Sequence, residues 1–244
     1  MASRTAIREH ALPDPTEPHE TGASGVLRPI VFGANDGLVS NLALVMGVAG
    51  AEPGPGVIVL AGIAGLLAGA FSMGVGEYIS VQSQRELLDY QIAFQRKQLR
   101  EVPDQERAIL ARAYMERGFT PEQAGRFVDA VFKDPDHAVR LLIFEEVGLD
   151  SRSIGSPVSA AIGSFLAFTG GALIPLIPYL LASGGTAFYA SLAVSLFALG
   201  LLGLAISRMT RRPLVFGAVR QVVLGGIAAA VTYAVGRFIG VQVA

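Results

Sequence analysis

Asp36 is the only formally charged residue in an apolar stretch from about residue 29 to residue 51. A stretch of this length can cross a lipid bilayer as a helix. A carboxylate inside such a helix is unfavourable unless a partner, water or a cation compensates its charge. We therefore interpret Asp36 as part of an ion pathway. The alternative is a buried aspartate that only hydrogen-bonds to a neighbouring helix.

A thioether and a second carboxylate lie in the next apolar stretch. Met73 and Glu77 are four residues apart, so they share one face of a helix. With Asp36 they offer oxygen and sulfur ligands, which suit Fe(II) or Mn(II) better than Ca²⁺ or Mg²⁺. The alternatives are apolar packing for Met73 and, for Glu77, an interfacial position or an ion pair with Arg85.

The composition is that of a membrane protein. Hydrophobic residues make up 52% of the 244-residue chain and charged residues only 16%, which is too apolar for a soluble domain. The net charge of -1 does not favour nucleic-acid binding, and the absence of cysteine excludes disulfides and thiolate metal sites. Because no catalytic triad, phosphate-binding loop or HExxH motif is present, we predict neither an enzyme nor a bound cofactor.

Five apolar stretches are each long enough for a membrane-spanning helix. They are residues 29–51, 56–80, 157–182, 187–207 and 214–240. Six arginines precede the first stretch or separate the fourth from the fifth: Arg4, Arg8, Arg28, Arg208, Arg211 and Arg212. By the positive-inside rule, the N-terminus and the segment between the second and third stretches are predicted to be cytoplasmic.

The polar segment between the second and third stretches is predicted to be a small helical domain, the inserted domain. The second spanning helix is predicted to continue to Glu101, and Asp104, Thr120 and Asp134 are expected to start three further helices. Apolar residues at helical spacing predict a shared buried side. These residues are Ile109, Leu110, Ala113, Tyr114, Phe127, Val128, Val131, Phe132, Leu141, Leu142 and Phe144.

The predicted fold class is an all-α membrane protein with five transmembrane helices and a cytoplasmic helical domain between helices 2 and 3. Residues 1–27 are interpreted as a disordered cytosolic tail. Helices 1 and 2 occupy residues 28–82, the inserted domain residues 83–152, and helices 3 to 5 residues 153–244. In the inserted domain, Glu106 and Glu145 are candidate metal ligands if the helices bring them together; otherwise they are ordinary solvated charges.

Two separated motifs resemble the vacuolar iron transporter family, most closely its bacterial members. They are FGANDGLV at residues 32–39 and AGAFSMGVGEYIS at residues 68–80. The resemblance implies a homodimer in a bacterial inner membrane that exports Fe(II), and often Mn(II), from the cytoplasm in exchange for protons. It also implies that Asp36 and Met73 line the transport path at the dimer interface. Shorter matches follow at residues 83–86, 144–145, 148–149, 170–175 and 212–214.

The resemblance further implies metal-gathering carboxylates and methionines in the inserted domain, but this chain retains few of them. Glu106 and Glu145 match family glutamates, and a glutamate of the second span is replaced by Gly65. Other family ligand positions carry uncharged residues: Gln95, Gln98, Ile109, Leu141 and Leu142. Losing carboxylates weakens a divalent-cation site. An alternative is therefore a non-transporting membrane scaffold or regulatory protein whose inserted domain binds a protein partner.

Overall fold

The computed structural model describes residues 24–147 and 155–243, and all regular structure within these ranges is helical. The helices are α1 (Ser24–Gly50), α2 (Pro55–Glu101), α3 (Pro103–Glu116), α4 (Pro121–Val131), α5 (Pro135–Val147), α6 (Pro157–Leu181), α7 (Gly184–Met209) and α8 (Leu214–Val243). Five of them, α1, α2, α6, α7 and α8, are long and apolar enough to cross a membrane. The predicted all-α fold with five transmembrane helices is confirmed.

The second helix is much longer than a membrane crossing requires. α2 has 47 residues and runs without interruption to Glu101, as predicted. At 1.5 Å per residue it extends for about 70 Å, against about 30 Å for the hydrocarbon core, so its second half leaves the bilayer. Two helix starts differ from the expected ones, because α7 begins at Gly184 and α1 begins at Ser24. Residues 1–23 of the predicted tail lie outside the described residues.

α1 is the central helix of the membrane bundle. It contacts each of the other four spanning helices, α2, α6, α7 and α8. Its fully buried side chains form one stripe at helical spacing, which packs against Ile58, Tyr179, Ala187, Leu199 and Ala229. This stripe consists of Leu38, Leu42, Val45 and Met46. Asp36 therefore lies on the helix whose position is fixed by the whole bundle.

α1 and α6 approach each other closely at glycines. A Cβ atom at Gly37 would overlap the carbonyl oxygen of Phe168, and one at Gly171 would overlap the carbonyl oxygen of Ala34. The predicted close approach at Gly33 and Gly37 is confirmed, since a Cβ at Gly33 would lie only 2.9 Å from a backbone oxygen of α6. Backbone atoms cannot rotate away as a side chain can. These glycines therefore set the position of the turn that carries Asp36.

The inserted domain packs its three short helices, α3 to α5, on the projecting half of α2. One apolar cluster joins α3, α4 and α5 through Leu110, Val128, Val131, Ala138 and Leu142. A second joins α2 to α5 through Leu88, Val139 and Ile143. The shared buried side expected from the sequence is thus formed.

Two residues assigned to that buried side lie on the surface instead. Ile109 is 44% exposed and Phe144 is 52% exposed. The neighbouring residues Leu110 and Ile143 occupy the core positions. Successive helical side chains are about 100° apart, so Ile109 and Phe144 point away from the faces that Leu110 and Ile143 bury.

The expected helix starts are largely formed. Thr120 makes the capping box with Gln123 at the start of α4. Asp134 accepts hydrogen bonds from the backbone N–H groups of Asp136 and His137, at 3.0 and 3.2 Å. Asp104 was expected to cap α3, but α3 starts at Pro103, so Asp104 lies inside its first turn. Its negative charge interacts favourably with the positive end of the helix dipole, but its side chain does not cap α3. The expected end of α5 near residue 148 lies outside the described residues.

Candidate functional site

Asp36 lines a cavity of about 210 Å³ between α1, α2 and α6. α1 contributes its polar groups, α2 contributes two glycines and α6 contributes an aromatic ring. The lining residues are Asp36, Ser40, Asn41, Leu44, Gly65, Gly69 and Phe168. A water molecule occupies about 30 Å³ in the liquid, so a cation with part of its hydration shell fits this space.

The Asp36 carboxylate is available to a ligand. Among the described residues, no ion pair or hydrogen bond reaches its side-chain oxygens. Ser40, one turn further along α1, donates from Oγ to the backbone carbonyl oxygen of Asp36 at 2.5 Å, not to the carboxylate. The charge is therefore left to a cation, a proton or water to compensate.

Two positions of α2 in the cavity lining lack side chains, and neighbouring side chains pack directly against them. A Cβ at Gly65 would overlap the side chain of Leu44 and lie 3.2 Å from Oδ1 of Asn41. A Cβ at Gly69 would overlap the ring of Phe168. Within the described lining, Asp36 is the only ionisable residue. At Gly65, where the sequence resemblance places a second carboxylate, Leu44 thus fills the space that a side chain would take.

Met73 and Glu77 lie on successive turns of α2 beyond Gly69, in the direction of the inserted domain. Met73 packs beside an apolar cluster that includes Phe168, the ring that also lines the Asp36 cavity. Glu77 is half-buried, and no ion pair within the described part of the chain includes it. Arg85 instead donates to the carbonyl oxygen of Gly155 at 3.1 Å. The structure therefore places Asp36 in the cavity wall, whereas Met73 and Glu77 lie outside the cavity lining, one and two turns beyond Gly69 on α2.

The structure keeps Glu106 and Glu145 apart. Gln95 donates to the buried Glu106 at 3.5 Å, near the start of α3. Both oxygens of Glu145 accept hydrogen bonds from Arg117, just beyond the end of α3. Residues 106 and 117 are separated by about 16 Å along the helix axis. The expected convergence of these two acids is therefore not formed.

The pairing of Glu145 with Arg117 has a simple electrostatic consequence. The hydrogen bond with Glu145 raises the pKa of Arg117, so the guanidinium remains charged and keeps the carboxylate occupied. Within residues 24–147 and 155–243, no group of three or more His, Cys, Asp and Glu side chains is positioned to hold a metal ion. Metal binding by Glu106 or Glu145 remains a prediction.

Asn41 is a lining residue that the sequence analysis missed. Its side chain is almost completely buried, at 2% exposure, and its Nδ2 donates to the carbonyl oxygen of Ala172 at 2.6 Å. Its Oδ1 is buried and has no hydrogen-bond partner among the described residues. The available signal was an amide five residues after Asp36 in an apolar spanning segment, where polar groups need a partner.

The chain is similar to transport proteins over nearly its whole length. The model of the VIT family matches residues 27–237. Vacuolar iron transporter 1 of Tulipa gesneriana is 30% identical over 234 residues, which cover 96% of this chain and 94% of the tulip protein. Vacuolar iron transporter 1 of Arabidopsis thaliana is 30% identical over 225 residues, covering 92% and 90%. The vacuolar iron transporter of Acanthamoeba castellanii is 34% identical over 221 residues, covering 88% and 79%.

Proposed function

The chain belongs to the VIT family and is a multi-pass membrane transporter of metal ions, not an enzyme, and we propose that it exports Fe(II), Mn(II) or both from the cytoplasm. Its similarity to proteins named as vacuolar iron transporters supports iron as cargo. Mn(II) is included because it has similar ligand preferences and is held by carboxylate oxygen.

The observation that carries this proposal is the carboxylate of Asp36, which lies beside a cavity in the membrane bundle and has no partner within residues 24–147 and 155–243. A cation that leaves water needs replacement ligands, and a single carboxylate inside the bundle supplies a charged one. We infer that Glu77 attracts the cation at the approach and that the Met73 thioether contacts it before Asp36. Sulfur favours Fe(II) over Mg²⁺ and Ca²⁺, which prefer oxygen ligands alone.

Exchange with protons follows from the chemistry of one carboxylate. A proton and a metal cation bind the same oxygens of Asp36, so they compete. Protonation from the non-cytoplasmic side would release the cation, and return of the proton to the cytoplasm would restore the site. A proton gradient would then drive export.

The charge distribution supports a cytoplasmic inserted domain. With five spans, the inserted domain and the α7–α8 connection lie on the same side, and that connection carries Arg211 and Arg212. On the opposite side, Glu52 accepts a hydrogen bond from Arg237 at 2.6 Å. By the positive-inside rule, the arginine-rich side faces the cytoplasm. Because its motifs resemble bacterial family members most closely, we propose that this membrane is a bacterial inner membrane.

We also propose a homodimer in which a second copy covers the Asp36 cavity. The cavity reaches the molecular surface, because its lining residues Ser40 and Leu44 are exposed. The chain contains no cysteine, so the single substitution Leu44→Cys gives an unambiguous cross-linking site. An oxidised dimer in membranes supports this arrangement, and a cross-link restricted to a distant control such as Leu201→Cys contradicts it.

Transport is tested with purified protein in liposomes. Uptake of Fe(II), Mn(II), Co(II) and Zn(II) is measured with and without a pH gradient, for the unaltered protein and for Asp36→Asn. Asp129→Asn is the matched control, since Asp129 is an exposed acid that pairs with Arg107 in the inserted domain. We expect Asp36→Asn to reduce Fe(II) flux at least as strongly as the about 10-fold typical of losing a supporting ligand contact.

Two results would contradict the proposal. Unchanged flux in Asp36→Asn would show that the carboxylate is not on the transport path. A folded protein that moves none of the four cations would favour the scaffold alternative, particularly if residues 83–152 capture a protein partner.

A further inference from the structure

We propose that Asn41 provides the next ligand for the transported cation after Asp36, through its side-chain oxygen. This inference rests on the proposed function, because it concerns the passage of the same cation through the same cavity. It adds a second, uncharged binding site to the transport path, and neither the family match nor the sequence motifs assign this site.

The orientation of the Asn41 amide is fixed by its hydrogen bond to α6. The atom 2.6 Å from the carbonyl oxygen of Ala172 must be Nδ2, because only the amide nitrogen can donate to a carbonyl. The oxygen Oδ1 is then directed away from that bond. The side chain cannot turn its oxygen elsewhere without losing the contact between α1 and α6.

Oδ1 of Asn41 lies beside Gly65, another residue of the Asp36 cavity lining. A Cβ at Gly65 would lie 3.2 Å from this oxygen, and Gly65, Asn41 and Asp36 all line the cavity. Among the described residues, Oδ1 has no hydrogen-bond partner although it is buried. Buried polar atoms are nearly always paired, so an unpaired one beside a cavity indicates a group that pairs with what passes through it.

The spacing between Asp36 and Asn41 indicates two successive binding sites and not two ligands of one bound cation. Asp36 and Asn41 are separated by about 7.5 Å along the axis of α1. The five-residue offset also turns Asn41 about 140° around the helix from Asp36, so the two short side chains approach the cavity from different directions and favour successive sites. Asn41 is further from the inserted domain than Asp36, on the exit side of the proposed path.

The chemistry of an amide suits this role. A neutral oxygen binds a divalent cation more weakly than a carboxylate does. Rapid passage needs sites that are favourable enough to enter and weak enough to leave. A second carboxylate at this point would hold the cation, whereas an aliphatic side chain would leave it without a ligand after Asp36.

The competing explanation is that Asn41 only joins α1 to α6. The chain offers a matched control for that role in Ser191, which donates from Oγ to the carbonyl oxygen of Pro175 at 2.6 Å. This bond is also buried, also joins a side chain to the α6 backbone, and does not involve a residue that lines the Asp36 cavity. Ser191→Ala therefore removes a helix contact of the same kind without altering the path.

The test compares Asn41→Leu, Asn41→Asp and Ser191→Ala in liposomes, with Fe(II) as the probe. We expect Asn41→Leu to lower Vmax by about tenfold or more, while its loss of thermal stability does not exceed that of Ser191→Ala. We expect Asn41→Asp to lower both KM and Vmax, because a second carboxylate binds the cation more tightly and releases it more slowly. Ser191→Ala should keep the original KM and Vmax.

The outcomes separate this inference from the proposed function. If Asp36→Asn loses flux but Asn41→Leu keeps the original KM and Vmax, the role of Asn41 is overturned and the proposed function stands. If Asn41→Leu fails to fold, Asn41→Asp decides, because an unchanged or higher KM overturns the inference. If the unaltered protein moves no cation, both fail.

Discussion

Replacing Gly171 by alanine should separate α1 from α6 at the turn that carries Asp36. A Cβ at this position would overlap the carbonyl oxygen of Ala34 and lie 2.9 Å from the backbone nitrogen of Leu38, on either side of Asp36. The adjacent Gly170 on the same helix is the matched control, because a Cβ there meets no atom within 4 Å.

The comparison between adjacent glycines isolates the steric effect. An alanine in place of glycine favours a helix by up to about 1 kcal/mol, and this gain is common to both variants. Overpacking against a rigid neighbour costs about 1–3 kcal/mol. We therefore expect the free energy of unfolding of Gly171→Ala to be about 1–3 kcal/mol below that of Gly170→Ala, because the shared gain cancels.

The assay is loss of the helical circular dichroism signal in detergent, since the chain has neither tryptophan nor cysteine to report unfolding. Fe(II) flux provides a second measurement. Because α1 must shift to accommodate the new methyl group, Gly171→Ala should reduce flux, and Gly170→Ala should not. Equal unfolding free energies for the two variants would refute the close approach of α1 and α6.

Two further predictions concern the inserted domain. Glu145→Gln should lower the free energy of unfolding by about 1–2 kcal/mol, because it breaks a hydrogen-bonded ion pair with Arg117 at a nearly buried carboxylate. Glu122→Gln, whose ion pair is exposed on both sides, should cost less than about 0.5 kcal/mol, and equal losses by denaturant titration would contradict this assignment. Thr120→Ala should cost about 1 kcal/mol by removing the cap of α4, and Thr120→Ser should restore most of it in the same titration. If Thr120→Ala leaves the titration midpoint unchanged, the capping box does not stabilise the domain.

Much of the helix pattern could be predicted because it depends on local sequence. Long apolar runs identified the spanning helices, and the lack of a breaker before Pro103 indicated that α2 continues beyond the membrane. Thr120 and Asp134 were recognisable caps because the groups that they satisfy lie within three residues of them. Asp104 was wrongly predicted as a cap, because α3 already starts at Pro103, one residue earlier.

The candidate site could be predicted only in part. Asp36 was identifiable because a charge in an apolar helix is conspicuous in any fold. Asn41 was not identifiable, because its significance depends on the hydrogen bond that it donates to Ala172 and on the position of its Oδ1 beside Gly65. The expected convergence of Glu106 and Glu145 failed because Glu145 pairs with Arg117 at the end of α3, whereas Glu106 lies at its start.

The sequence by itself determined the membrane-spanning architecture and the position of one charge within it. The reason is that, inside a bilayer, each spanning segment must form its own backbone hydrogen bonds. The apolar sequence that indicates a spanning helix is therefore contained within each segment. Tertiary structure decided which residues line the cavity, which acids are paired and which of Ile109 and Leu110 is buried. Those outcomes depend on atoms brought together from distant parts of the chain, where close packing leaves room for only one arrangement.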